Sequence, residues 1–371
     1  MITQTWALIL DAYRDLNARK LFWISLIISA MFMLGFGLIG ADAGGLKLLW
    51  IHWDMPGAEY LYKQIFSWIV LGLWLTLGAI ILALISTSGI FPDFISGGAI
   101  DLYLSKPMGR LRLFLTKYAT GLLFVALQVS LVAVLALLIL GLRSGEWKPQ
   151  ILLAIPIVVC FFSYLFSVSV FFGIATRSTV AALLLTIVCW GAFWGVHKVE
   201  IESVKSMAAQ DYLIDYYRGQ IQQGDDQIAA AQSDPATNAV RLESLRDQRI
   251  SDQRNLDSLL SGPAATRRFQ RIVHGIKTVL PKTTETTDLT DRLLFQDAEI
   301  SRADNQSAAW MFGGMSQNRD FAAQLKASEH GKAVIDLELR HRSLAWIIGT
   351  SLLFEAVLLS LSAWIFCRRD Y

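Results

Sequence analysis

Two polar side chains stand inside stretches that are otherwise apolar: Glu355 in the run Leu344–Phe366 and Gln128 in the run Tyr118–Leu142. A charged carboxylate in the middle of a hydrocarbon-length run costs about 3 kcal/mol, so Glu355 must face a bundle interior, a water-filled path or a partner, or carry a proton. A coupling-ion or substrate contact is one reading; a neutral, hydrogen-bonded packing residue is the other. Gln128 and the serines Ser163, Ser167 and Ser169 offer the same choice between a polar stripe along a path and close helix packing with hydroxyls bonded to their own backbone.

A third polar group lies between two apolar runs. The stretch Phe91–Tyr118, FPDFISGGAIDLYLSKPMGRLRLFLTKY, combines a Pro-Asp turn, a Gly-Gly pair, a Lys-Pro break and several basic residues, and such a segment does not belong in hydrocarbon. Ala99–Leu104 is short and amphipathic, with Ile100, Leu102, Tyr103 and Leu104 able to lie on an apolar surface while Asp101 meets water. Pro107 stops a helix and biases Lys106 toward an extended conformation. These residues suit a short helix lying along a membrane face and offered to a cytoplasmic partner; a re-entrant or ordinary basic loop fits them as well.

The same stretch resembles the loop between the second and third membrane helices of ABC-2 type transporter permeases. Ile95, Gly98, Ile100, Leu104, Ser105, Lys106, Pro107, Arg110 and Lys117 fall at the matching places, whereas the acidic position falls on Phe94, with Asp93 one residue early. The resemblance implies a coupling helix that docks on a separate ATPase subunit, carried here by Asp93, Gly98, Ile100, Leu102, Ser105, Lys106, Pro107 and Arg110. The phrase LPKTTETTDLTDRLL before the last apolar run, and the ending WIFCRRDY with Phe366, Arg369 and Asp370, resemble the corresponding parts of the same permeases.

The elements that position these residues follow from composition. The 371 residues are 54% hydrophobic and only 17% charged, too apolar for an ordinary soluble domain. Six runs approach or exceed the length of a bilayer crossing: Leu21–Ala41, Ile65–Phe91, Tyr118–Leu142, Ile151–Ala175, Val180–Val196 and Leu344–Phe366. Short loops carry ten basic residues on one side of these runs and four on the other, which assigns the richer side and both termini to the cytoplasm. Ile2, Trp6, Ile9, Tyr13 and Leu16 recur at helical spacing, so residues 1–20 read as an interfacial amphipathic helix, and the first span as an uncleaved insertion signal. The aromatic-rich segment Asp42–Gln64 reads as an interfacial outer segment, with His52 lacking a second ligand at metal spacing.

Between the fifth and sixth runs the composition turns polar over residues 199–343. Even spans place this block outside the cytoplasm. Ile201–Ala231 and Ala236–Leu260, separated by Ser233-Asp234-Pro235, suggest a helical hairpin; Arg249 and Asp252 interrupt its apolar seam and argue against a sustained coiled coil. In the family setting Glu202–Gly262 reads as an insertion. Arg267–Leu280 is a further amphipathic segment, and Ala333–Arg340 alternates as a strand would, although a helix leading into the final span fits nearly as well.

The expected fold is thus an all-α membrane protein with six transmembrane helices, a short cytoplasmic coupling helix and a large, mostly helical extracytoplasmic insertion between helices 5 and 6. Its parts are residues 1–20, the helices of 21–198 with the loop 91–118, the domain 199–343, and the last helix and tail of 344–371. The chain has no G-x-x-x-x-G-K-[ST] cradle, H-E-x-x-H, Cys-x-x-Cys or G-x-S-x-G pattern, so no enzyme activity, metal site or cofactor of its own is expected. The spread of basic residues argues against nucleic acid. The resemblance implies an exporter permease of a bacterial inner membrane, paired as a homo- or heterodimer with an ABC ATPase subunit that binds ATP. The alternative is a membrane-anchored scaffold whose 199–343 domain recruits envelope proteins, with the partner ATPase driving assembly.

Overall fold

The structure is a computed structural model, and it describes residues 20–42, 45–48, 51–54, 65, 67–96, 109–145, 147–233, 239–261, 272–294 and 319–369. The chain forms two compact units. The first comprises Met1–Trp194, Leu280–Gln296 and Ile347–Tyr371; the second comprises Gly195–Val279 and Asp297–Trp346.

The described residues contain six helical stretches long and apolar enough to cross a membrane, one on each expected run. They are helical because the backbone polar groups of such a stretch find no water in hydrocarbon and must pair with one another. In chain order the elements are α1 (Lys20–Gly37), a π-helical run (Ser67–Gly78) that continues as α2 (Ala79–Thr87), α3 (Ile90–Ser96), α4 (Arg110–Ser144), a 3₁₀ turn (Pro149–Leu153) leading into α5 (Ala154–Thr176), and α6 (Thr179–Ser233). Then follow α7 (Ala239–Leu260), α8 (Thr283–Leu294), α9 (Arg319–His341) and α10 (Leu344–Arg368). Helix α4 begins eight residues before the expected apolar run, so Arg110, Arg112 and Lys117 occupy its first turns.

Within the first unit α5 is the central helix: 61% of its apolar window is buried, against 17% for α10. Phe161, Phe162, Tyr164, Leu165 and Phe166 are almost wholly enclosed. Phe166 stacks on Tyr118 of α4 with ring centroids 5.1 Å apart, and the ring sits where a side chain at Gly121 would otherwise be, since a Cβ there would lie 2.5 Å from it. Glycine at position 121 therefore sets the close approach of α4 to α5. At the other end of α5, Arg177 takes a left-handed turn (φ 54°) and its N–H bonds Gly173 O at 3.0 Å, which ends the helix.

The described residues are overwhelmingly helical, as expected of an all-α membrane protein, with one small addition: a three-stranded antiparallel meander, β1 (Ile39–Asp42), β2 (Gly45–Leu48) and β3 (Ile51–Asp54), follows α1. Its register pairs Ile39 with Leu48 and Leu48 with Ile51. Two-residue connections force neighbouring strands into antiparallel pairs, and the ladder satisfies the backbone where the chain leaves its helix. His52 and Trp53 thus stand on a strand.

In the second unit α6 and α7 form the expected hairpin. Ile214, Tyr217 and Leu256 make its small core, and Gln210 donates to Leu259 O at 2.8 Å. Both seam-breaking charges are paired: Arg249 Nε lies 2.7 Å from Asp225, and the buried Asp252 is bonded by Arg319 of α9. Ala333–Arg340 is helical, the second of the two conformations its sequence allows, as part of α9. The segments 1–19, 97–108 and 295–318 lie outside the described residues, and with them the proposed amphipathic leader and the centre of the coupling loop.

Candidate functional site

Helix α10 buries little of its surface, so a few long or polar side chains carry its attachment to the rest of the first unit. They act at three depths.

Near its start, Pro281 cannot continue a helix, and the following backbone N–H, that of Lys282, donates to Ser351 Oγ at 2.9 Å. The Lys282 ammonium donates to Thr350 Oγ1 at 2.7 Å, with Lys282 and Ser351 both buried. Ser351 in turn donates to Ile347 O at 2.8 Å. The short helix α8 that begins here looks polar in sequence, yet Thr283, Glu285, Thr286 and Leu289 are buried.

One turn further along is Glu355, 8% exposed. Tyr118 of α4 donates to Glu355 Oε1 at 2.7 Å and Ser163 of α5 donates to Oε2 at 2.6 Å. Each charge-assisted bond contributes about 1.5–3 kcal/mol, so the pair is of the size needed to offset the cost of a carboxylate at that depth. Tyr118 Oη also lies 3.1 Å from Ser163 O, and Ser163 Oγ lies 2.8 Å from Cys160 O. Beyond them Cys160 Sγ lies 2.9 Å from Tyr164 Oη. Among the described residues no Lys, Arg or His pairs with Glu355.

At the end of α10 the unsatisfied carbonyls are capped by guanidinium groups. Arg110, at the start of α4, donates through Nη1 to Cys367 O at 3.1 Å and to Arg369 O at 3.0 Å. Arg369 donates to Ile174 O, near the end of α5, at 2.8 Å. Phe366 packs beside them against Phe91 and Phe114, with centroids 6.5 and 5.8 Å away.

The sequence-derived candidates therefore separate. Glu355 is buried and fully engaged. Arg110 points to the end of α10, and Asp93, exposed on α3, accepts from Thr179 Oγ1 at 3.2 Å. Gly98, Ile100, Leu102, Ser105, Lys106 and Pro107 lie outside the described residues. Gln128 is buried but bonds Ala79 O of α2 at 3.3 Å, away from Glu355. Its Oε1 accepts no hydrogen bond. Of the serine stripe, Ser167 bonds its own backbone at Tyr164 O, 2.7 Å away, whereas Ser163 reaches across to Glu355. Sequence reading missed Tyr118 as a partner of Glu355; its signal was a phenol at the edge of an apolar run.

The second unit buries a carboxylate in another way. Glu200 of α6 is bonded by the Lys277 ammonium, lies 3.2 Å from His274 Nδ1 and 3.4 Å from Arg342 Nη2. Lys277 and Arg342 are themselves largely buried, with 7% and 12% of their side chains exposed. Arg342 also bonds Glu338 at 3.0 Å.

Comparison of the chain with protein-family models, with curated proteins and with solved structures finds no match.

Proposed function

We propose that the chain is the membrane-spanning permease subunit of an ABC-2 type exporter, working with a separate ATPase in a bacterial cytoplasmic membrane with both termini on the cytoplasmic side. The observation that carries the reading is the bond from Arg110 to Cys367 O and Arg369 O. The residue that closes the loop resembling a coupling helix is tied to the end of the last helix. A push on residues 97–108 would reach α10 through this guanidinium and, about 18 Å further along the helix, Glu355. ATP binding that favours one arrangement of the loop over another would then shift the helix between two states.

The test is purification of the tagged full chain in mild detergent, with identification of what accompanies it and an ATPase assay. A P-loop ATPase is expected in the preparation, and it should be lost when Leu102 and Lys106 are replaced together. A preparation free of any such ATPase, from the unmodified chain under the same conditions, overturns the reading.

The scaffold reading keeps one specific support: the second unit has its own core, at Ile214, Tyr217 and Leu256, and its own buried ion pairs. Deletion of Glu202–Gly262 separates the two. Retained ATPase association and activity favour the permease; retained association with loss of envelope partners favours the scaffold.

A further inference from the structure

Counting donors around Glu355 shows that each hydroxyl on it has a second acceptor in place. Tyr118 and Ser163 own one proton apiece. Tyr118 Oη reaches both Glu355 Oε1 at 2.7 Å and Ser163 O at 3.1 Å. Ser163 Oγ reaches both Glu355 Oε2 at 2.6 Å and Cys160 O at 2.8 Å. A serine bonded to the carbonyl three residues back is a common helix habit. A phenol on α4 that also reaches a main-chain oxygen of α5 is not.

We propose that Glu355 is a proton-binding site that exchanges with solvent, with the carboxylate and the carboxylic acid both fully hydrogen-bonded in the folded chain. In the charged form Tyr118 and Ser163 donate to the two carboxylate oxygens. When a proton arrives from water, it forms an O–H bond on Oε1 or Oε2. The new O–H donates to the facing hydroxyl, and that hydroxyl turns its own proton to Ser163 O or Cys160 O. No group is left without a partner, and no other bond breaks.

The surroundings favour such exchange. The groups that face Glu355 are the Tyr118 phenol from α4 and the Cys160 thiol and Ser163 hydroxyl from α5, with Phe354 beside it on α10 turned to Phe193 of α6. The Lys282 ammonium is engaged at Thr350, and that of Lys117, beside Tyr118, lies over the Phe94 ring. Among the described residues no Lys, Arg or His is bonded to Glu355, and each of its oxygens has a hydroxyl to bond. Protonation changes how tightly α10 is held to α4 and α5, since two charge-assisted bonds become neutral ones of roughly half the strength.

The inference does not depend on the permease reading, because the readout is the proton itself. The full chain in lipid nanodiscs is taken through a pH titration, followed by infrared difference spectroscopy in the carboxylic C=O region and by potentiometric proton counting. E355Q, nearly isosteric and unable to titrate, should take up one proton per chain fewer and lose one C=O band. Y118F should keep the band but move both its frequency and its midpoint, since it removes one donor from the charged form. Equal proton uptake and identical spectra for the unmodified chain and E355Q overturn the proposal. If E355Q does not fold, a Y118F spectrum unchanged in frequency and midpoint overturns it instead.

Discussion

Glu355 in the first unit and Glu200 in the second are both buried carboxylates, each joining three elements, yet their partners are of opposite kinds. Glu200 sits among an ammonium, a guanidinium and an imidazole. Glu355 is bonded by two hydroxyls, and among the described residues by no cation. A buried carboxylate matched by buried cations is locked: removing it takes the counter-charge from a buried ammonium. A buried carboxyl solvated by hydroxyls can change its charge without stranding anything. The first arrangement suits a joint that must not move, the second a joint that must.

The sharpest way to break the comparison is to remove each acid. Glu200→Ala takes the carboxylate from the buried Lys277 and one of two carboxylates from Arg342, and should destabilise the folded chain by about 3–5 kcal/mol, measured by thermal unfolding in nanodiscs. Glu355→Gln, measured the same way, should cost no more than about 1 kcal/mol, because the amide oxygen accepts from one hydroxyl while the NH2 donates to the other, which turns its own proton to Ser163 O or Cys160 O. If the two changes prove equally costly, locked and switchable carboxyls are not different classes here.

A smaller effect tests the end of α10. Arg110→Ala removes two bonds to main-chain carbonyls and should cost about 1–2 kcal/mol, with local loss of amide protection in the last turns of α10 by hydrogen exchange. Arg110→Lys keeps the charge but not the reach of Nη1, which makes both bonds, and should restore less than half of the protection. Protection unchanged in both variants would mean the cap contributes nothing.

The smallest expected effect is a pH dependence in the second unit. Burial raises the Asp252 carboxyl above its ordinary value, against the attraction of Arg319 and with Asp320 nearby. A carboxyl raised on folding favours the folded state below its unfolded pKa, and that advantage is lost as the pH rises through the folded value. The α7 amides should therefore be slightly better protected, from this group alone, as the pH falls from neutral through the carboxylate range. Asp252→Asn should flatten that slope; an identical slope would remove Asp252 as its cause.

The six membrane-length helices were legible because a run of twenty apolar residues leaves a chain few alternatives. So was the hairpin, from the Ser233-Asp234-Pro235 break between two periodic stretches. The sheet β1–β3 was not, since strands of four residues are too short for alternation to rise above chance. Glu355 was legible as a problem, a charge in the wrong medium, but its solution was not: Tyr118 and Ser163 lie 237 and 192 residues away, and no local pattern joins them. Helix α8 was hidden for the opposite reason, because its threonines and glutamate look like solvent-facing residues and are buried. For Arg110, sequence suggested a residue facing outward to a partner, whereas its described bonds face inward to α10.

The Arg110 bond also orders events in time. Its acceptor at Cys367 is made 257 residues after the arginine, and at roughly 5–20 residues per second a ribosome takes on the order of 10–50 s to reach it. Through that interval the first five spans exist without the contact that joins the start of α4 to the last helix. The cap on the last turn of α10 is thus made only when the final helix has been delivered, and a chain stalled before α10 would lack it.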